Sequence, residues 1–320
     1  MPSDSVMTNT EAAGSDFPVI SDPGVRMPVA TPPNSLSETT SRSIRWNSFP
    51  SRLYCKGKRL SWEPEAIDFS QDVKDWQSLT RTQRQMILQM LAIFAEGEGA
   101  VTAHLAPMMI HLSREGHRED ELYLTQFLYE EAKHVEAFDR FRCAVCPHED
   151  VVRHQTPSSR FLFDQEMPRV MNHLLRESSP RALADAAATY NMIIEGVVAE
   201  TGYFTWRGML TERGIFPGML KIILHVSTDE ARHIAFGVYL LNRLIRQDPS
   251  LLPVTRKRMR TLLGHALRMQ QEIFSNFPEG TNFELRPMRS IDFALRQFNN
   301  RLQALERAVD FDDVESLNVA

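Results

Sequence analysis

Two segments of this chain place a glutamate and a histidine three residues apart within apolar helical sequence: EEAKH, with Glu131 and His134, and DEARH, with Glu230 and His233. Among ten histidines, only these two have a glutamate three positions earlier. Residues three apart share a helix face, so each pair presents one carboxylate and one imidazole to the same point. A single such pair arises easily in a Glu-rich chain as a solvated surface pair. What precedes the two gives them weight. Glu98 in LAIFAEGEGAV stands 33 residues before Glu131, and Glu195 in YNMIIEGVVAE stands 35 before Glu230.

That spacing sets a lone glutamate and an ExxH at similar height on neighbouring antiparallel helices. Each path runs about 17 residues to a turn and back, at 1.5 Å per residue. Two such hairpins facing each other bring four carboxylates and two imidazoles together inside a four-helix core, the pattern of dinuclear carboxylate proteins of the ferritin-like type. Oxygen donors with one nitrogen per metal suit iron or manganese better than a structural zinc site, which favours thiolates. Burying these charges for packing alone would cost several kcal/mol per ion. Glu98, Glu131 and His134 are expected to hold one metal and Glu195, Glu230 and His233 the other, with Glu131 and Glu230 as bridges. Asp229 is a candidate acceptor for a ligand imidazole N–H across the bundle. Glu96, Glu130 and Glu200 are read as facing elsewhere, Glu96 being the rival to Glu98.

The elements that must carry these residues are helical. The apolar period predicts helices near 79–114, 118–143, 159–176, 180–213, 217–247, 253–276 and 285–309, with Gly and Pro gathered between them. Nothing alternates like a strand, so the fold class is all-α. Residues 1–42 are rich in Ser, Thr, Pro and Gly and read as a disordered extension, 43–310 as the metal-binding domain and 311–320 as a flexible tail. Acids throughout the first 42 residues argue against a targeting segment. The net charge of -5, with basic and acidic residues interleaved, gives no footprint for nucleic acid. The longest apolar run, MILQMLAIFA, is shorter than a membrane span. Cys55, Cys143 and Cys146 form no disulfide framework, and a reducing cytoplasm is the expected setting. The CxxC at Cys143 lacks a second ligand pair and reads as ordinary helix-end cysteines.

At its six candidate ligands the sequence resembles the ribonucleotide reductase small-subunit superfamily, and more closely its ligand-binding oxidase branch. The similarity runs from WNSFPSRLY and WEPEAIDFSQDVKDW through GEGAVT and YLTQFLYEEAKH to TYNMIIEGVVAETGY and DEARHIAFG. It implies a mixed manganese and iron pair, with di-iron as the alternative, a long-chain fatty acid in an apolar cavity at the metals, and O2 activation with two-electron C–H oxidation. A homodimer and a tyrosine-to-valine ether crosslink, mapping to Tyr190 and Val101, are also implied. Val101, three after Glu98, shares its helix face; Tyr190, five before Glu195, is rotated from it by about 140° at 3.6 residues per turn. The sequence departs from the branch at Gly99, where glutamate is expected. The alternative is a radical-generating reductase small subunit. Against it, Phe138 stands where the usual radical tyrosine would be, and the tail after Arg307 contains no tyrosine. A ferritin-like iron store or lipid carrier would keep the ligands without needing Tyr190 beside Val101.

Overall fold

The structure, a computed structural model, describes residues 43–275, 283 and 287–307. The expected extension over 1–42 and tail over 311–320 lie outside the described residues, as does part of the predicted helix ends at 276 and 285–309. The described residues contain helices and turns and no strand.

In chain order the helices are α1 Phe49–Arg59, α2 Ser70–Ser78, α3 Arg81–His104, α4 Ala106–Arg114 and α5 Arg118–Val145. They continue with α6 over 157–174, α7 over 180–213, α8 Pro217–Gln247, α9 Leu251–Ser275 and α10 Pro287–Glu306. Local chemistry fixes many boundaries. Thr80 and Gln83 form a capping box at the start of α3, Ser179 accepts from the Ala182 amide at the start of α7, and Gly214 closes α7 in the left-handed conformation at φ 63°. The single helix expected over 79–114 is broken at Leu105, because Pro107 lacks an amide hydrogen and its ring crowds the preceding turn. Helices α1 and α2 were not anticipated from periodicity.

Two helices are not uniformly α. In α6 the stretch Phe161–Glu166, and in α7 the stretch Ala188–Ala199, are wound as π-helix. Such segments are rare and gather at functional sites. The longer one carries Tyr190 and Glu195.

Helices α3, α5, α7 and α8 form the four-helix core. α3 packs on α5, α5 on α8 and α8 on α7, and Phe94 of α3 lies against Gly202 of α7. α9 and α10 cover α7 from outside. The segment 81–114 contains an 18-residue window apolar enough to cross a membrane by composition, but 61% of that window is buried within the protein. It serves as a core helix.

Candidate metal centre

All six candidate ligands reach one point between the core helices. Glu98 comes from α3, Glu131 and His134 from α5, Glu195 from α7, and Glu230 and His233 from α8; all are buried. Ligand atoms of Glu98, Glu131, His134 and Glu230 lie within 4.8 Å of one another, as do those of Glu131, Glu195, Glu230 and His233. Glu131 and Glu230 therefore belong to both groups. His134 Nδ1 is 3.3 Å from Glu98, 3.7 Å from Glu131 and 3.7 Å from Glu230. His233 Nδ1 is 2.9 Å from Glu131, 3.6 Å from Glu195 and 3.7 Å from Glu230.

A metal pair fits this arrangement on an observation independent of spacing. Glu131 Oε2, His134 Nδ1, Glu195 Oε1, Glu230 Oε2 and His233 Nδ1 are all buried without a hydrogen-bond partner. Buried polar atoms are normally satisfied, and these converge on two adjoining positions. Electrostatics agree. Burial pushes the Glu98 carboxyl up to about 7 and holds Glu195 and Glu230 above the ordinary range. Burial alone would lower both imidazoles, yet the surrounding carboxylates hold them well above the usual histidine value. Cations would replace the protons this cluster otherwise retains.

Outer partners aim the imidazoles. His134 Nε2 faces Asp229 at 3.3 Å across the bundle, where the sequence placed a candidate acceptor. His233 Nε2 faces Glu130 at 2.9 Å. Glu130 was expected to point elsewhere, and the structure corrects this. The two pentapeptides repeat as acid, Glu, Ala, base, His, so Glu130 is to EEAKH what Asp229 is to DEARH. The repeat itself held the signal. Arg232, fully buried, donates to Glu130 and to Asp229, each at 2.6 Å, and so links the two outer carboxylates. Trp62 donates its indole N–H to Asp229 at 2.8 Å.

Glu96 lies outside both ligand groups, beside Asp164, with burial raising its carboxyl to about 7. Glu200 pairs with Arg301 at 4.0 Å. A Cβ at Gly99 would meet nothing within 4 Å, so the departure there leaves the packing around the centre intact. Cys143 is exposed and Cys146 buried.

Tyr190 is not rotated away. Its hydroxyl donates to Glu131 Oε1 at 3.2 Å. The α-helical rotation does not apply, because π winding runs its hydrogen bonds from i to i+5 and brings residues five apart toward one side. Asn191 donates to Glu195 at 2.8 Å, in the space left by Gly237, where a Cβ would fall 2.1 Å from that of Asn191. Tyr203, not singled out from sequence, places its hydroxyl 3.4 Å from both Glu98 and Glu230. Phe138 packs on Phe94, with ring centroids 5.5 Å apart.

A cavity opens onto the cluster. Glu98, Glu131, Glu195 and Glu230 line one part of it; the remainder is mostly apolar, with Met86, Ile93, Phe163, Val198 and Ile273 among the lining residues. Along α3 it extends from Glu98 to Met86, about 18 Å at 1.5 Å per residue.

Fold and site together define a dinuclear metal-dependent oxidoreductase with a ferritin-like helical bundle. The ribonucleotide reductase small chain family matches residues 48–314, and the chain belongs to that family. Within it, the chain falls in the ligand-binding oxidase branch. It is 35% identical to an R2-like ligand-binding oxidase with aerobically reconstituted Mn/Fe cofactor, with a TM-score of 0.82 over 84% of this chain and 97% of that one. A tyrosine-to-phenylalanine variant of such an oxidase, likewise with Mn/Fe, gives 35% identity and a TM-score of 0.81 over 84% and 98%. An anaerobically reconstituted valine-to-leucine variant gives 35% and 0.80 over the same shares.

Proposed function

We propose that the protein is an O2-activating oxidase that binds a long-chain fatty acid, or a similar apolar ligand, at a manganese and iron pair. One observation carries this reading: an elongated, largely apolar cavity has four clustered glutamates as part of its wall. Such a cavity presents an acyl chain to the metals while keeping water away.

Glu98, Glu131 and His134 would hold one metal and Glu195, Glu230 and His233 the other, with Glu131 and Glu230 within reach of both. When bound, the pair supplies O2 reduction and two-electron oxidation of an unactivated C–H bond. The protein's part is positional. Asp229 and Glu130 fix the imidazoles, Arg232 fixes both acids, and the apolar wall excludes competing water. Metal-ligand types do not separate manganese from iron, and a di-iron form is the alternative composition.

Tyr190 and Val101 are the residues we assign to the crosslink. Tyr190 contacts Glu131, and Val101 lines the cavity that Glu131 also lines. The bond would join the phenolic oxygen to a Val101 carbon, with one hydrogen lost from each and both electrons passed to O2. As in the branch, we take the working form to be a homodimer.

Organic extraction of the purified protein followed by lipid mass spectrometry tests the ligand assignment. A long-chain acid released in proportion to protein supports it, and a cavity free of any acyl compound contradicts it. One feature favours a reductase small subunit instead: the chain Trp62, Asp229 and His134 offers a hydrogen-bonded route for a radical from the centre. Reductase activity with a partner subunit would establish that alternative.

A further inference from the structure

The stretch Ala188–Ala199 of α7 is twelve residues of π-helix. Runs of this length are rare, and such a conformation persists only where its surroundings hold it. One end is held by a notch. A Cβ at Gly196 would fall 2.9 Å from the Asn191 carbonyl oxygen and 3.1 Å from Arg301 Nε, so only glycine fits there. The other end is held by side chains. Thr189 Oγ1 donates to the Asp185 carbonyl, one turn back, at 2.7 Å. The same oxygen accepts from Arg258 Nε at 3.1 Å and Arg258 Nη2 at 3.0 Å, which fills the capacity of the hydroxyl. Arg258 also pairs with the Asp185 carboxylate at 2.9 Å and with Glu166, the last residue of the π segment in α6. One guanidinium from α9 thus ties the two π segments together.

A threonine in a helix divides between two rotamers, because its hydroxyl can bond the carbonyl four residues back and compete with the α ladder there. Arg258 fixes the rotamer that makes this bond. The next residue is Tyr190. Wound as α it would stand about 140° from Glu195; wound as π it faces the centre and donates to Glu131 at 3.2 Å. We propose that Arg258 is a positioning residue: through Thr189 it holds the π winding of α7, and with it the direction of the Tyr190 hydroxyl. The part Tyr190 plays in a crosslink rests on the function proposed above; the winding does not. An ion pair that merely joined helices would need only Glu166 and Asp185, and Arg169 already bonds both, at 2.7 and 3.2 Å. What Arg258 adds is Thr189.

Hydrogen exchange, read by mass spectrometry on the full-length, metal-free protein, is the test. Arg258→Met and Thr189→Val, the latter nearly unchanged in shape, should each raise exchange of the amides at 190–198 about tenfold while α8 keeps the wild-type rate. Thr189→Ser keeps the hydroxyl and should exchange as wild type does. Arg169→Met removes bonds to Glu166 and Asp185 but none to Thr189, and should leave the segment unchanged. In protein loaded with manganese and iron and exposed to O2, the product joining Tyr190 to Val101 should fall about tenfold in Arg258→Met and Thr189→Val at equal metal content. Unchanged exchange in both variants, or an equal rise in Arg169→Met, overturns the proposal. So does a full yield of crosslink in variants whose segment exchanges faster. If the wild type forms no crosslink at all, the proposed function fails, and the exchange result still decides the role of Arg258. Thr189→Val carries the test should Arg258→Met fail to fold.

Discussion

Glu130 accepts a hydrogen bond from His233 Nε2 at 2.9 Å, the counterpart of the contact between His134 Nε2 and Asp229 at 3.3 Å. With both Nε2 atoms engaged outward, both Nδ1 atoms face the carboxylate cluster. Arg232 holds the two acids in place. The imidazoles are thus fixed before any metal arrives.

Glu130→Gln should lower metal affinity by about 10–100-fold while leaving the six candidate ligands unchanged. Elemental analysis after dialysis against a graded chelator reads the effect. Full retention of both metals would remove Glu130 from this role.

Gly237→Ala should cost about 1–3 kcal/mol, because the new methyl would overlap Asn191 and displace its bond to Glu195. Thermal melting gives the stability loss. Metal content should fall with it, and an unchanged melting temperature would show that α7 and α8 separate more easily than the packing implies.

Loading with manganese and iron should raise the melting temperature, and chelation should reverse the gain, since the five unpartnered buried atoms acquire partners. A melting curve insensitive to both metals would contradict the assignment of the cluster.

The Arg45 and Glu119 contact gives a pH dependence. Burial would raise the Glu119 carboxyl, but the Arg45 backbone N–H and guanidinium outweigh it and bring it down from 4.5 to about 2. A depressed carboxyl pKa stabilises the fold above the unfolded value and loses that contribution as pH falls through the folded one. Glu119→Gln should therefore cost about 1 kcal/mol near pH 7. The gap to wild type should narrow between pH 4.5 and about 2. Urea titrations across that range provide the check.

Much of the centre was legible because its signals are local and periodic. A glutamate three residues before a histidine must share its helix face, and the 33 and 35 residue offsets fix which helices face one another. The rotation of Tyr190 is not legible because π winding is imposed by packing and leaves no mark in apolar periodicity. Glu130 was misjudged although its signal was present: the repeat that identified the ligands also aligned Glu130 with Asp229. The cavity's course was not legible at all. Met86, Ile93 and Ile273 have the side chains of ordinary core residues, and only the positions of α3, α7 and α9 make them a wall.

The proposed function requires O2 to be activated at this centre, beside Tyr190 and Val101. Intact and peptide mass spectrometry on protein loaded with manganese and iron, before and after exposure to O2, tests it most directly. The expected result is the loss of two hydrogens, localised to a peptide pair joined through Tyr190 and Val101, and no such loss without metals or in Tyr190→Phe. An unchanged mass in the fully loaded, O2-exposed protein would contradict it.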